Sequence, residues 1–242
     1  MTTPAGAGRR TRKPVVFLGP SLPVAEARKI LDAEYRPPAG QGDLYRASLD
    51  RPPALALIDG IFKDAPTVRH REILWALGAG IPVFGAASMG ALRAAELDAH
   101  GMIGIGVIFR WYRRFALLPD DAVAVTHMPA ELGAQPLSDA LVDIQRSLSR
   151  ARRSGALDNR AAAAMLRACA NLPFPERRLP AEAAPFRVPQ KAADARALLT
   201  RLAALAEADT WPRPDCPEPP LVHAWLDDLH DSGLPLPQRG AP

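Results

Sequence analysis

Cysteine, aromatic residues and long apolar runs are scarce in this chain of 242 residues. Its two cysteines, Cys169 and Cys216, are too few for a disulfide framework and lack the paired spacing of a zinc site. No apolar run approaches the roughly 18 residues that span a membrane, and no apolar segment follows the basic residues 1–13 as it would in a signal peptide. We therefore expect a cytoplasmic protein without a metal ion or a membrane partner.

An excess of charge of one sign is also missing from most of the chain. The formal net charge is +4, and four positive charges lie before the first strand, at Arg9, Arg10, Arg12 and Lys13. Without them, 26 basic residues balance 26 acidic residues. A short basic tail without aromatic residues does not predict a nucleic-acid surface, so we expect no nucleic-acid partner.

The sequence motifs of common cofactor sites are absent. Gly19-Pro20-Ser21, which follows the first apolar run, matches neither the dinucleotide-binding nor the P-loop glycine pattern. His70-Arg71-Glu72 has the H-x-E spacing of zinc deaminases, but the Pro-Cys-x-x-Cys partner is missing. We expect no cofactor.

Short apolar runs alternate with helical patterns over the first half of the chain. Buried strands are predicted over 15–18, 54–58 and 82–87, and weaker ones over 35–40, 103–109 and 122–126. Helices are predicted over 25–33, 42–49 and 89–100, with another after Pro66. This alternation predicts an α/β fold, with a mostly parallel sheet and helices on both faces, of Rossmann or flavodoxin-like build.

Helical patterns replace the strands after about residue 137. Helices are predicted over 137–153, 159–170, 191–208 and 221–231, with proline-rich passages over 173–189 and 211–220. We therefore expect three parts: a disordered basic tail over 1–13, an α/β core domain over 14–150, and a helical, proline-punctuated C-terminal extension over 151–242.

The ends of three predicted strands form the candidate site. They read Gly19-Pro20-Ser21, Asp59-Gly60 and Ser88-Met89-Gly90, and each combines glycine with a hydroxyl or a carboxylate. Ligands of open parallel sheets bind beyond the carboxyl ends of the strands. We expect these three ends to meet at one edge of the sheet.

The last of these ends has the form of a nucleophile elbow. In Ala86-Ala87-Ser88-Met89-Gly90, small residues flank a serine where a strand runs into a helix. Such a turn exposes the serine hydroxyl, and the amides of Met89 and Gly90 would then hold an oxyanion at the helix N-terminus. The alternative is that Ser88 only caps the helix.

A serine nucleophile needs a base, and His70 is the first candidate. It shares a helical stripe with three apolar residues, Ile73, Leu74 and Leu77. His70 is therefore expected to face the sheet, either as a base or as a core histidine bonded to the backbone. His127, at the end of a weaker strand, is a second candidate, and Asp59 or Asp121 would orient either histidine.

The helix that follows Ser88 is poor in bulky residues, so it can approach the sheet closely. Arg93 and Glu96 on this helix are spaced for an i, i+3 ion pair. The functional alternative is that Arg93 holds an acidic group near Ser88.

Several of these segments resemble the TfuA-like family. The resemblance lies in residues 57–60, 70–74 and above all 85–97, and 19–22, 101–106, Asp120-Asp121 and His127 extend it over roughly 15–148. The chain departs from the family pattern after Tyr112, where Arg113-Arg114-Phe115 lacks the expected glycine.

The resemblance implies a role beside a YcaO-type enzyme in forming backbone thioamides in ribosomal peptides or proteins. Its implied partners are that enzyme and a ubiquitin-like, ThiS-like sulfur carrier, with the precursor peptide as a further candidate. One implied mechanism is hydrolysis of the carrier's C-terminal thiocarboxylate, which releases sulfide. The alternative is a non-catalytic adaptor that stimulates the enzyme. A third hypothesis does not come from this resemblance. It is a nucleotide- or phosphate-binding protein of flavodoxin-like build, and fold analogy alone supports it.

For the hydrolase, the sequence predicts Ser88, His70 and Asp59 as catalytic residues. The predicted substrate-binding and oxyanion-binding residues are Gly19, Ser21, Gly60, Met89, Gly90, Arg93, Glu96 and His127.

Overall fold

A computed structural model describes residues 12–62, 65–115, 119–129 and 134–237 of the chain. Residues 1–11 of the basic tail predicted over 1–13 lie outside the described residues. No helix in the described ranges is long and apolar enough to cross a membrane.

Five short strands form one sheet in which every pairing is parallel. They are β1 (Val15–Phe17), β2 (Glu34–Arg36), β3 (Leu55–Leu57), β4 (Val83–Ala86) and β5 (Ile103–Ile105). Their spatial order is β2-β1-β3-β4-β5, which is the flavodoxin-like order. The predicted α/β class and parallel sheet are confirmed, and the point where the strand order reverses lies between β1 and β3.

Helices cover the sheet and continue through the C-terminal third of the chain. In the described part they are α1 (Val24–Ala27), α2 (Asp43–Leu49), α3 (His70–Gly78), α4 (Met89–Leu97), α5 (Val107–Arg114), α6 (Leu141–Arg153), α7 (Asn159–Ala170), α8 (Gln190–Glu207) and α9 (His223–Asp231).

The two faces of the sheet are buried under different helices. Successive strand residues point to opposite faces, so Val15 and Val16 enter separate core clusters. Helices α2 to α6 pack on the Val15 face, whereas α1 and α8 pack on the Val16 face. This burial on both faces explains why the strands are continuous apolar runs rather than alternating ones.

The C-terminal third takes part in the main core. Leu198, Leu199 and Leu202 of α8 are fully buried against the sheet, although the sequence placed α8 in a separate extension. Helix α9 packs Trp225 against Tyr45 of α2. The predicted boundary near residue 150 stays a prediction, but α8 provides one covering layer of the sheet.

Of the two weak strands predicted after residue 100, the first is present but shorter than predicted, and the second is wrong. The strand predicted over 103–109 ends at Ile105, because Gly106 has a φ of +103° that breaks the extended chain before α5 begins. The strand predicted over 122–126 is replaced by a 3₁₀ turn over Asp120–Val123. Apolar runs of this length occur in buried turns and helices as well as in strands, so the pattern alone does not distinguish them.

Some helix ends also differ from the prediction. The helix predicted over 25–33 ends at Ala27, and the one predicted over 137–153 begins at Leu141. The helix after Pro66 begins at His70, so this histidine lies in its first turn.

Candidate functional site

The loop after β1 is tied to the end of β3 by one buried carboxylate. Asp59 accepts hydrogen bonds at Oδ2 from the amides of Gly19 (2.8 Å) and Ser21 (3.1 Å), and at Oδ1 from the Ser21 hydroxyl (2.6 Å). The structure therefore brings together three of the predicted residues at the point where the strand order reverses. Because both oxygens of Asp59 serve this loop, Asp59 does not orient His70.

Gly19 and Gly60 are required for close packing at this edge. A Cβ on Gly19 would lie 2.5 Å from Pro38 Cγ, and one on Gly60 would lie 2.8 Å from Met89 Cγ. The Met89 side chain is 3% exposed and covers Gly60. Gly19 lets the chain after β1 approach the chain after β2, and Gly60 lets the end of β3 approach α4.

Ser88 lies on a sharp turn between β4 and α4. Ala87, just before it, has a φ of +66°, which is uncommon for a residue with a side chain. Ser88 is the N-cap residue of α4 by position, but among the described residues its hydroxyl makes no capping hydrogen bond. Ser88 as a residue is 7% exposed, so it is buried without serving the cap. Strained turns of this kind occur where a side chain must be aimed at a ligand.

The two predicted oxyanion donors differ in availability. The Gly90 amide donates to Ile58 O (3.3 Å), and a Cβ on Gly90 would lie 1.7 Å from Leu57 O. Gly90 therefore lets α4 touch β3, and its amide points to the sheet rather than to a ligand. Only the Met89 amide of the predicted pair is left for that role.

His70 forms a three-residue network with two side chains of α4. Its Nε2 lies 2.8 Å from Glu96 Oε2, and Arg93 Nη1 donates to the same oxygen at 2.7 Å. Arg93 Nε also donates to Val68 O (3.1 Å). Burial alone would raise the pKa of Glu96, but the hydrogen bonds and charges of His70 and Arg93 outweigh it and lower that pKa. The predicted Arg93–Glu96 pair is present.

This network is distant from Ser88. Glu96 is eight residues beyond Ser88 along α4, about 12 Å at the helical rise. The His70 side chain is 46% exposed and lies against α4, so it does not face the sheet as predicted. The physical reason is that the buried face of α3 is centred on Glu72, Ile73, Ala76 and Leu77, so His70 lies beside that face rather than on it. The predicted Ser88–His70–Asp59 triad is therefore not assembled.

His127 lies in an exposed loop. Its Nδ1 is 2.7 Å from Met128 O, and its backbone forms an isolated bridge with Pro136. Within the described ranges, no hydrogen bond joins His127 to Ser88 or to His70.

Sequence reasoning missed Lys191, a buried cation in the first turn of α8. Its side chain is 4% exposed, and Nζ donates to Val123 O (2.8 Å). Burial lowers the pKa of Lys191, and the charges of Asp59 and Asp143 partly oppose this. An ammonium has three donors, so this bond leaves two. The only sequence signal was a lysine among the apolar positions of a helix.

The next turn of α8 contacts the loop after β5. Asp194 Oδ2 accepts from the Ile108 amide (2.8 Å), and Gly106 has no room for a Cβ because it would lie 2.3 Å from Asp194 Cγ. Helix α8 thus contacts the chain after β5 through Asp194, and Lys191 on the same helix is influenced by the charge of Asp59, which follows β3. Because β4 lies between β3 and β5, the turn that carries Ser88 lies between Asp59 and the loop after β5.

The strand register gives the spacing on the β3 side. Leu57 is paired with Gly85, which places Asp59 level with Ala87, on strands about 5 Å apart. Ser88, the next residue after Ala87, therefore follows the strand beside the one that ends before Asp59. The Ser88 hydroxyl and the Met89 amide lie at this edge, and the Lys191 amine is bonded to Val123 O.

Asp143 of α6 holds the first turn of α8 in place. Its Oδ1 accepts from the Lys191 amide (3.0 Å). Burial raises the pKa of Asp143 to about 6, against the opposing effect of that hydrogen bond. No group of three or more His, Cys, Asp or Glu side chains suited to a metal ion occurs within the described ranges.

Comparison with known protein families gives a match over part of the chain. Residues 59–178 match the protein family described as TfuA-like protein. No curated protein matches the chain. The matched range contains Asp59, His70, Ser88 and Glu96, whereas the β1 loop and Lys191 lie outside it. The segment 59–178 is therefore similar to the TfuA-like family.

Proposed function

We propose that this protein supplies sulfur to a YcaO-type enzyme during backbone thioamidation, by hydrolysing the C-terminal thiocarboxylate of a ubiquitin-like carrier. The observation that carries the proposal is the uncapped Ser88 hydroxyl on a strained strand–helix turn between Asp59 and the loop after β5, together with the buried amine of α8. The TfuA-like match of residues 59–178 supports the proposed pathway. The geometry of the turn at Ser88 supports the proposed nucleophile.

In this mechanism Ser88 is the nucleophile and Lys191 is its base. The Ser88 oxygen attacks the thiocarboxylate carbon, and its proton passes to the neutral amine of Lys191. Lys191 then returns this proton to the sulfur as the C–S bond breaks, so hydrosulfide leaves and the carrier is held as an ester on Ser88. Water hydrolyses this ester, so that thiocarboxylate and water yield carboxylate and hydrogen sulfide. Serine–lysine pairs are a known variant of serine nucleophile activation.

Burial of Lys191 supports its role as a base. An amine accepts a proton only when it is neutral, and the lowered pKa of Lys191 increases the neutral fraction near neutral pH. The Met89 amide at the start of α4 would donate to the tetrahedral oxyanion. His70 has no step in this mechanism, because it is bonded to Glu96 two turns along α4.

The test measures sulfide release from a thiocarboxylated carrier without any YcaO enzyme. We expect wild type to release sulfide, and Ser88→Ala and Lys191→Met to lose at least about 100-fold, the usual lower range for losing a base or a nucleophile. His70→Ala is expected to keep most of the rate. Thermal melts of each variant check that it is folded.

Three outcomes would count against parts of this scheme. Absence of sulfide from wild type rejects the hydrolase. Equal release from Ser88→Ala and wild type keeps a hydrolase but removes the nucleophile. A loss in His70→Ala as large as that in Lys191→Met assigns the base to His70.

A non-catalytic adaptor is the second candidate. It is favoured by the finding that the predicted triad is not assembled, with Asp59 and His70 both engaged elsewhere. With free sulfide supplied, an adaptor with or without Ser88 should stimulate the YcaO enzyme equally. If wild type and Ser88→Ala stimulate equally and neither releases sulfide from the carrier, the adaptor replaces the hydrolase.

A further inference from the structure

Helix α5 presents a row of arginines to solvent. Arg110, Arg113 and Arg114 are spaced at i, i+3 and i+4, so they share one face of the helix, and all three are exposed. The opposite face, with Ile108 and Tyr112, is buried in the core. The arginine face is therefore held in a fixed orientation by the packing beneath it.

The arginines surround a cavity next to the edge strand β5. This cavity, of about 540 Å³, is lined by Gly104, Phe109, Arg110, Arg113 and Arg114. Its floor is closely packed, because a Cβ on Gly104 would lie 2.2 Å from the Phe109 ring. The floor is apolar and the rim is cationic.

The positive charge of this face is largely unneutralised. Arg113 has an ion pair with Asp98, but at 3.4 Å between two exposed side chains it is weak. Within the described ranges, no ion pair involves Arg110 or Arg114. Phe115, directly after the helix, is 54% exposed, and Arg114 lies over its ring. Exposed arginine beside exposed aromatic surface is typical of protein interfaces.

The neighbouring strand has an open edge. β5 is last in the sheet order and is paired on one side with β4, and within the described residues no strand pairs with its other side. Its residues Ile103–Ile105 are partly exposed. Open edges of this kind accept an added strand from another chain.

We propose that the arginine face of α5 and the open edge of β5 together bind an acidic, extended polypeptide segment of a partner protein. The segment would pair its backbone with β5 and direct its carboxylates to Arg110, Arg113 and Arg114, and an apolar side chain would enter the cavity. A nucleic acid has no backbone that pairs with a strand edge, so the observations favour a polypeptide. This inference does not depend on the proposed hydrolysis.

The experiment measures binding of a fluorescently labelled peptide of alternating Glu and Val residues, by anisotropy at low and high salt. We expect the wild type to bind it, Arg110→Glu/Arg114→Glu to weaken binding by at least about tenfold, and added salt to weaken binding to the wild type. The matched control is Arg160→Glu/Arg167→Glu, with the same charge change on exposed positions of α7. The control is expected to bind as the wild type does.

Other results would overturn the inference. One such result is that the wild type does not bind the peptide. Another is an equal loss of binding in both double variants, because this would show a general effect of net charge. Equally strong binding of a Lys-Val peptide would remove the role of the arginines. Tighter binding of a single-stranded RNA, lost in Arg110→Glu/Arg114→Glu alone, would replace the polypeptide with nucleic acid. Sulfide release by these variants is measured in parallel, so a failure of the hydrolase proposal is distinguished from a failure of this one.

Discussion

At the scale of single residues, the ionisable groups around the first turn of α8 are costly to bury. Lys191 and Asp59 are nearly inaccessible, and Asp143 has a raised pKa. Charges removed from water destabilise a fold unless partners compensate. Here the compensation is partial, because burial remains the largest influence on the pKa of both Lys191 and Asp143. Proteins keep such incompletely compensated groups mainly where they are used.

Asp143 makes stability depend on pH in an unusual direction. Its folded-state pKa is about 6, above the ordinary value of 3.8, so between these values the folded chain holds a proton that the unfolded chain has released. Stability should therefore fall as pH rises from about 4 to about 6, by about 2 to 3 kcal/mol. Asp143→Asn should remove this slope, since an amide oxygen still accepts from the Lys191 amide.

Urea unfolding between pH 4 and pH 7 measures this effect. The matched control is Asp158→Asn, at the exposed N-cap of α7, where asparagine caps as well as aspartate. An unchanged pH slope in Asp143→Asn would show that Asp143 is not the group responsible.

At the scale of elements, the packing of α4 on β3 determines where Ser88 is held. The helix is composed of small residues where it meets the sheet, and the Gly90 amide donates directly to Ile58 O. This contact fixes the start of α4, and with it the turn before it.

Gly90→Ala tests that packing. In an exposed helix, alanine is more stable than glycine by about 1 kcal/mol. Here the added Cβ would lie 1.7 Å from Leu57 O, so α4 must move away from β3. We expect a loss of at least about 2 kcal/mol in urea unfolding, with reduced sulfide release.

Ala163→Gly, at an exposed position of α7, is the control, and its cost should be near the propensity value of about 1 kcal/mol. A neutral or stabilising Gly90→Ala would mean that α4 does not lie this close to the sheet.

At the scale of the whole molecule, the sheet is completed by parts of the chain outside the TfuA-like segment. Strands β1 and β2 precede residue 59, and α8 follows residue 178. The candidate edge likewise combines Asp59 and Ser88 from the segment with Ser21 and Lys191 from outside it. We therefore expect the chain from β1 to α8 to fold as one unit.

Truncation distinguishes this arrangement from a detachable extension. A chain ending at residue 188 loses α8 and exposes the apolar face on which Leu198 and Leu202 pack, so we expect it to be unfolded or aggregated. A chain ending at residue 211 loses α9 but retains α8 and Trp211, and should keep a cooperative thermal transition. A stable, cooperatively folded chain ending at residue 188 would contradict the role given to α8.

The sequence by itself determined the parallel α/β sheet and the edge where Gly19, Ser21, Asp59 and Ser88 lie. Buried strands and their glycine turns are local patterns, and parallel strands bring their carboxyl ends to one edge. Only the tertiary structure decided which groups meet there. His70 pairs with Glu96 because the first turn of α3 lies beside α4. Lys191 is buried against Val123 because α8 returns to the sheet. A helical pattern predicts that a helix has a buried face but does not show which surface that face covers.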